Sequence, residues 1–176
     1  YPPSPRHVEV EMARAIVESL PPFVTPVGVF VDPAPEDIRT ICRAARIPVA
    51  QIHGAVDADL VAELRQTLKV VVGLRLSCAE DLNHWQALRA ADAFLFDTNL
   101  PGGLPGGTGQ TFPWEWLASE SRPERMILAG GLSPENVGEA IRQVQPWGVD
   151  VSSGVEETPG VKSAAKIRAF LAAARA

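Results

Sequence analysis

The chain has 176 residues, 46% of them apolar and 21% charged, with 16 Lys and Arg against 21 Asp and Glu for a formal charge of −5. That is one domain's worth of sequence with enough apolar material for a sizeable core. Its mildly acidic balance offers no basic footprint for nucleic acid or an anionic membrane. With no run of about 18 apolar residues and only two cysteines, Cys42 and Cys78, the composition excludes a helical membrane protein, a disulfide-framed secreted mini-protein, a thiolate metal site and a disordered tail.

Two kinds of segment alternate along the chain. An amphipathic stretch over residues 8–20 predicts a helix and is followed by a β-branched apolar run at 24–31 (VTPVGVFV) that predicts a buried strand. The alternation continues with helix 36–46, strand 49–52, helix 57–67, strand 69–76, helix 79–91 and strand 93–96. It closes with strand 126–129, helix 134–143, strand 149–151 and helix 163–174. The strands are apolar almost throughout, without alternation, which is the pattern of strands covered on both faces. Ser77 with Glu80 three residues on reads as a capping box, and Ser133 before Pro134 as an N-cap with proline at the first helical position.

Strand starts recur about every 25 residues, the period of a parallel sheet built from βαβ crossovers, either doubly wound or closed into a barrel. Residues 1–6 look like a strand-to-helix loop with no strand before it. If the sheet closes as an eight-stranded (β/α)8 barrel, the first strand, first helix and second strand lie upstream of Tyr1, in about 30 further residues at this period. The expectation is a single α/β barrel domain over residues 1–176, incomplete at its N-terminus. No charged-then-apolar leader opens the sequence, so the cytoplasm is the expected compartment.

In such barrels the chemistry sits on the loops after the strands. Those junctions hold Ser4-Pro5-Arg6, Asp32, His53-Gly54, Ser77-Cys78, Asp97-Thr98, Gly130-Gly131 and Ser152-Ser153-Gly154. Gly130-Gly131 and Ser152-Ser153-Gly154 follow what would be strands seven and eight, where glycine amides and a following helix N-terminus suit a phosphate. One glycine pair alone would read as a tight turn; two adjacent loops with serines point to an anion site. Asp97 ends an apolar strand, directly before a long glycine-rich loop at 99–109. It suits a general acid or a turn cap, and the spacing leaves both open. His53 either binds a substrate or hydrogen-bonds a loop, and spacing favours the loop. Arg6 either clamps a carboxylate or is a solvated charge. Cys42 reads as a core residue, and Cys78, near a helix N-terminus, as an ordinary thiol more than a nucleophile.

The segments Ser4-Pro5-Arg6, LPPFVTPVGVFV (20–31), Gln51-Ile52-His53-Gly54, Phe96-Asp97-Thr98, GGTGQTFPW (106–114), ILAGGLSPENV (127–137) and GVDVSSGVEETPGVKS (148–163) resemble those of the phosphoribosylanthranilate isomerase family. The similarity runs nearly end to end, and the last three segments are the most specific. The resemblance implies an Amadori rearrangement of a phosphosugar substrate in tryptophan biosynthesis, without metal or organic cofactor, in a monomer or homodimer. It makes Asp97 the general acid, Arg6 the partner of the anthranilate carboxylate, and Gly130, Gly131, Ser152, Ser153 and Gly154 the phosphate loops. Gly107 then belongs to the loop after Asp97, and His53 lines the pocket. The family's general base, a cysteine in a Lys-Ile-Cys-Gly motif, is absent from these residues, and neither Cys42 nor Cys78 matches it. The expectation is therefore a truncated form, inactive by itself. Two alternatives are a histidine-pathway-like phosphosugar isomerase and a non-catalytic phosphosugar-binding remnant. The first would place a second phosphate site at the Asp32 and His53-Gly54 junctions, where no serine–glycine loop stands.

Overall fold

The computed structural model describes residues 1–98, 114–118 and 122–176, which form two compact units. The first comprises Tyr1–Gly73 with Gln86–Ala93, and the second Leu74–Trp85 with Phe94–Ala176.

In the first unit, helix α1 (Val10–Ser19), strand β1 (Val27–Val31), helix α2 (Pro35–Ala45), strand β2 (Val49–His53) and helix α3 (Ala58–Leu64) lead into strand β3 (Lys69–Leu76). β3 runs on in sequence into the second unit. β1, β2 and β3 are parallel neighbours, Val27 level with Val49 and Val49 with Lys69. α2 buries Ile38, Cys42 and Ala45, spaced so that all three fall on one face. They join Ile52, Val61, Leu64, Val70 and Val72 in a core from which water is excluded. Each large side chain so buried contributes about 1.5–3 kcal/mol. α3 starts at the predicted place because the Asp57 side chain accepts a hydrogen bond from the Leu60 amide at 2.8 Å.

The second unit holds β4 (Ala93–Thr98, of which Ala93 belongs to the first), β5 (Met126–Leu128), helix α4 (Val137–Val144) and β6 (Gly148–Val149). A hairpin of β7 (Glu156–Thr158) with β8 (Val161–Lys162) and helix α5 (Ala164–Ala173) complete it. β4, β5 and β6 are parallel neighbours. Phe96, Leu95, Leu117, Met126, Leu128 and Val137 are buried at its centre, and Trp85 meets Phe94 edge to face with centroids 5.8 Å apart. Ser163 caps α5, its hydroxyl accepting from the Lys166 amide. No helix among the described residues is long and apolar enough to cross a membrane.

The six strands β1–β6 stand where the period placed them. Three expectations need correction. β1 is not covered on both faces: Val27 and Val29 are 46% and 53% exposed, and α1 buries none of its residues, leaving Met12 and Ile16 open to solvent. The stretch after β3 is a 3-10 helix (Ala79–Leu88) where an α-helix over 79–91 was expected. The Asp81 carboxylate takes the Ser77 and Cys78 amides, at 2.7 and 3.2 Å, which tightens the turn. α4 begins at Val137 and not at Pro134: residues 134–136 form a turn, in which the Ser133 hydroxyl accepts from the Glu135 amide and the Asn136 side chain from the Ser133 amide at 2.8 Å. The β7–β8 hairpin carries no apolar alternation to announce it.

Candidate active site

The ends of β4, β5 and β6 are in step. Phe96 is level with Leu128, and Leu128 with Val149. The ladder continues one residue further, the Ala129 amide donating to the Phe96 carbonyl at 2.9 Å and the Asp150 amide to the Leu128 carbonyl at 2.8 Å. Asp97, Ala129 and Asp150 therefore lie level, and level residues of a parallel sheet project to one face. Asp97 is half-buried. Asp150 keeps contact with solvent, yet the protein crowded around it pushes its carboxyl above the usual range. The negative charge of Asp97 pushes the same way, and Lys162 opposes both.

Two loops flank this face. After β5, Gly130 and Gly131 adopt φ of 82° and 65°, the left-handed region that glycine enters without strain. Asn136 holds their loop by donating from Nδ2 to the Gly131 carbonyl at 3.0 Å. After β6, the Gly154 backbone passes so close to the Leu132 carbonyl oxygen that a side chain at 154 would overlap it. The predicted phosphate loops thus meet backbone to backbone. Lys162 ties down the second of them, its Nζ donating to the Ser152 carbonyl at 2.9 Å and hydroxyl at 3.3 Å. The same ammonium pairs at 2.9 Å with Glu156, whose side chain is only 5% exposed. One feature of the expectation does not hold: Ser153–Val155 is a single 3-10 turn and α4 starts six residues after Gly131, so no long helix opens at either loop. Anion affinity here rests on backbone amides.

His53 and Arg6 belong to the first unit. His53 ends β2, its imidazole 3.0 Å from Gln51 on the same strand and lying over Gly73 of β3, where any side chain would collide with the ring. Arg6 is exposed in a turn, its amide donating to the Ser4 hydroxyl at 3.1 Å. Asp32 joins the ends of β1 and β2: its Oδ1 accepts from the Ala55 amide at 2.7 Å, and its carboxylate fills the space beside Gly54. Gly107 lies outside the described residues. A cavity of about 350 Å³ at the opposite ends of β2 and β3 is lined by Arg39, Cys42, Arg43, Ile47 and Leu68 among others, and holds none of the predicted site residues.

Neither cysteine is an activated thiol. Burial pushes the Cys42 thiol up to about 11. Cys78 is exposed, and the hydrogen bond to the Glu80 side chain raises it too, overcoming the amide contacts of the turn. Among the described residues no three His, Cys, Asp or Glu side chains gather as a metal site would require. Asp150 and Lys162 escaped the sequence reading. Asp150 was hidden because the apolar pattern placed it inside strand 149–151, although it stands directly after β6 much as Asp97 stands at the end of β4. Lys162 reaches Ser152 only through the hairpin, which sequence spacing does not reveal.

A family model described as N-(5'phosphoribosyl)anthranilate (PRA) isomerase matches residues 2–173. The chain is similar to the N-(5'-phosphoribosyl)anthranilate isomerase of Thiobacillus denitrificans, 42% identical over 100% of this chain and 84% of that protein. It is similar in structure to the phosphoribosyl anthranilate isomerase of Thermotoga maritima, with TM-score 0.91, 37% identity, and coverage of 99% of this chain and 84% of that one. A crystal structure of phosphoribosyl anthranilate isomerase with reduced 1-(o-carboxyphenylamino)-1-deoxyribulose 5-phosphate matches with TM-score 0.88 and 34% identity, over 99% and 84% of the two chains. These matches do not support reading the chain as a truncated, inactive form.

Proposed function

The chain belongs to the N-(5'-phosphoribosyl)anthranilate isomerase family, and on that premise we propose that it carries out the Amadori rearrangement of tryptophan biosynthesis, from N-(5'-phosphoribosyl)anthranilate to 1-(2-carboxyphenylamino)-1-deoxyribulose 5-phosphate. The observation that carries the mechanism is the placement of Asp97 level with Asp150 at the strand ends, in the unit that also holds both glycine loops.

In this reading Asp97 gives its proton to the ribose ring oxygen as the C1'–O bond breaks, and the anthranilate nitrogen lone pair forms the C1'=N bond of a Schiff base. A base removes the C2' proton, and the electron pair of that bond moves into C1'=C2', neutralising the nitrogen. The C2' hydroxyl then loses its proton as C1' gains one, leaving a ketone at C2' and an amine at C1'. No atoms are gained or lost. The amides of Gly130, Gly131, Ser153 and Gly154, with the Ser152 loop, hold the 5'-phosphate. Arg6 holds the anthranilate carboxylate as a charge-assisted pair, His53 lines the pocket, and Gly107 belongs to the loop that follows Asp97. The six strands take the places of the third to the eighth in a (β/α)8 barrel, and the enzyme works in the cytoplasm.

Cys42, buried and held protonated, does not serve as the base, and Cys78 is raised by Glu80. A histidine-pathway-like reading is disfavoured by Asp32, whose carboxylate at the β1–β2 ends would repel a second phosphate. The test is conversion of N-(5'-phosphoribosyl)anthranilate by this chain and by Asp97→Asn, which keeps the shape but has no proton to give. Turnover should fall by about 10²–10⁴-fold while affinity for the reduced product analogue changes little. A variant within threefold of the parent would remove Asp97 from the role. Loss of analogue binding by the parent chain would remove the substrate class.

A further inference from the structure

Resting on the reading of Asp97 as the acid and of the glycine loops as the phosphate site, we propose that Asp150 is a sugar-binding residue, which takes a hydroxyl of the substrate's pentose between those two ends. Asp150 is two strands away from Asp97 with Ala129 level between them. At roughly 4.7–4.9 Å per strand, their backbones stand about 9–10 Å apart, and the residue between contributes only a methyl group. Asp150 immediately precedes the Val151–Ser152 turn into the loop that Lys162 fastens. A phosphosugar with its phosphate on the loop amides and its ring oxygen at Asp97 sets its hydroxyl-bearing carbons along this row.

The surroundings of Asp150 support a polar ligand over a structural duty. Its backbone amide continues the ladder, but no hydrogen bond or ion pair of its carboxyl is among those that hold the described residues together. The charged groups acting on it are Asp97 from β4 and Lys162 from β8, and Lys162 is already engaged by Glu156 and Ser152. The protein crowded around it disfavours its ionised form. A carboxyl that still reaches solvent on the site's face is suited to exchange hydrogen bonds with a hydroxyl as either donor or acceptor.

The experiment titrates two probes, inorganic phosphate and reduced 1-(o-carboxyphenylamino)-1-deoxyribulose 5-phosphate, into the chain, Asp150→Ala and Asp150→Asn by calorimetry. Both variants should bind phosphate within twofold of the parent. Asp150→Ala should bind the reduced analogue roughly 10- to 100-fold more weakly, the range for losing one hydrogen bond to a carboxyl, and Asp150→Asn should lose less. At pH 8 Asp150→Asn should melt no lower than the parent, since it removes a charge that burial penalises; a merely structural carboxylate would show the reverse. Variants that bind the analogue as the parent does, or that lose phosphate equally, overturn the proposal alone. A parent chain that binds neither probe overturns the phosphate-site reading and this proposal with it.

Discussion

Replacing Gly154 by alanine sets a methyl group where the Leu132 carbonyl oxygen already lies. The obstacle is backbone, and it belongs to the loop that Asn136 pins through Ser133 and Gly131, so it has little freedom to retreat. Overpacking of this kind costs about 1–3 kcal/mol. Alanine also restricts the unfolded chain, which returns about 0.4–1 kcal/mol. The clash wins, and the net loss should be about 1–2 kcal/mol. For a chain of this size each kcal/mol lowers Tm by about 2–4 °C, so the midpoint should drop by about 2–8 °C. Phosphate affinity should fall with it by about tenfold, because separating the loops costs at least one amide–anion hydrogen bond. Gly148→Ala is the internal control: a methyl there makes ordinary contact with Ile127 at 3.8 Å, and its effect should stay within about 0.5 kcal/mol. Thermal melts and phosphate titrations of both variants decide the matter. A Gly154→Ala protein that melts and binds like the parent would refute the reasoning that the two loops are held by this backbone contact.

Other outcomes follow from groups elsewhere. For Asp92, burial acts to raise the carboxyl, but bonds from the Val70 amide, Arg65 and Lys69 outweigh it and hold the group below the usual range. Its contribution is therefore complete above the unfolded carboxylate value near 4 and is lost as pH falls through the depressed folded value. Asp92→Asn should flatten the acid limb of a stability–pH curve measured in denaturant, and an unchanged limb would contradict this. Cys42 should react with a thiol reagent only on unfolding while Cys78 reacts in the folded chain; mass spectrometry of labelled peptides reads the order. Lys162→Met should destabilise the chain by roughly 1–3 kcal/mol, since the buried Glu156 carboxylate loses its ammonium partner; equal denaturation midpoints would show the pair to be dispensable.

The strands were legible because apolar runs need no partner to be recognised: residues 69–76 are β3 to the residue. Helix starts were legible where one side chain reaches the first free amides. Asp57 and Ser163 cap as their positions suggest, whereas Asp81 takes the Ser77 amide in the turn after β3 and the chain makes one further turn between Ser133 and α4 before the helix starts. Which neighbour an amide meets is settled by distances of a few tenths of an ångström, which a pattern of residue types does not contain. At the site, Asp97 and the glycines stood out because acid and glycine are unusual at the end of an apolar run. Asp150 and Lys162 did not, since their significance lies in register and in a hairpin. The burial of strands on both faces was misread because a run such as VGVFV looks the same whether or not something covers it.

The imidazole of His53 lying over Gly73 binds the histories of two positions together. Alanine at 73 is harmful only while a ring is at 53, and a small residue at 53 leaves a hollow only while glycine is at 73. Each substitution alone should therefore cost stability, while the double change His53→Ala with Gly73→Ala should cost less than the two summed. A lineage that loses the histidine becomes free to fill the glycine, and once it has done so the route back to histidine is closed by a single methyl group.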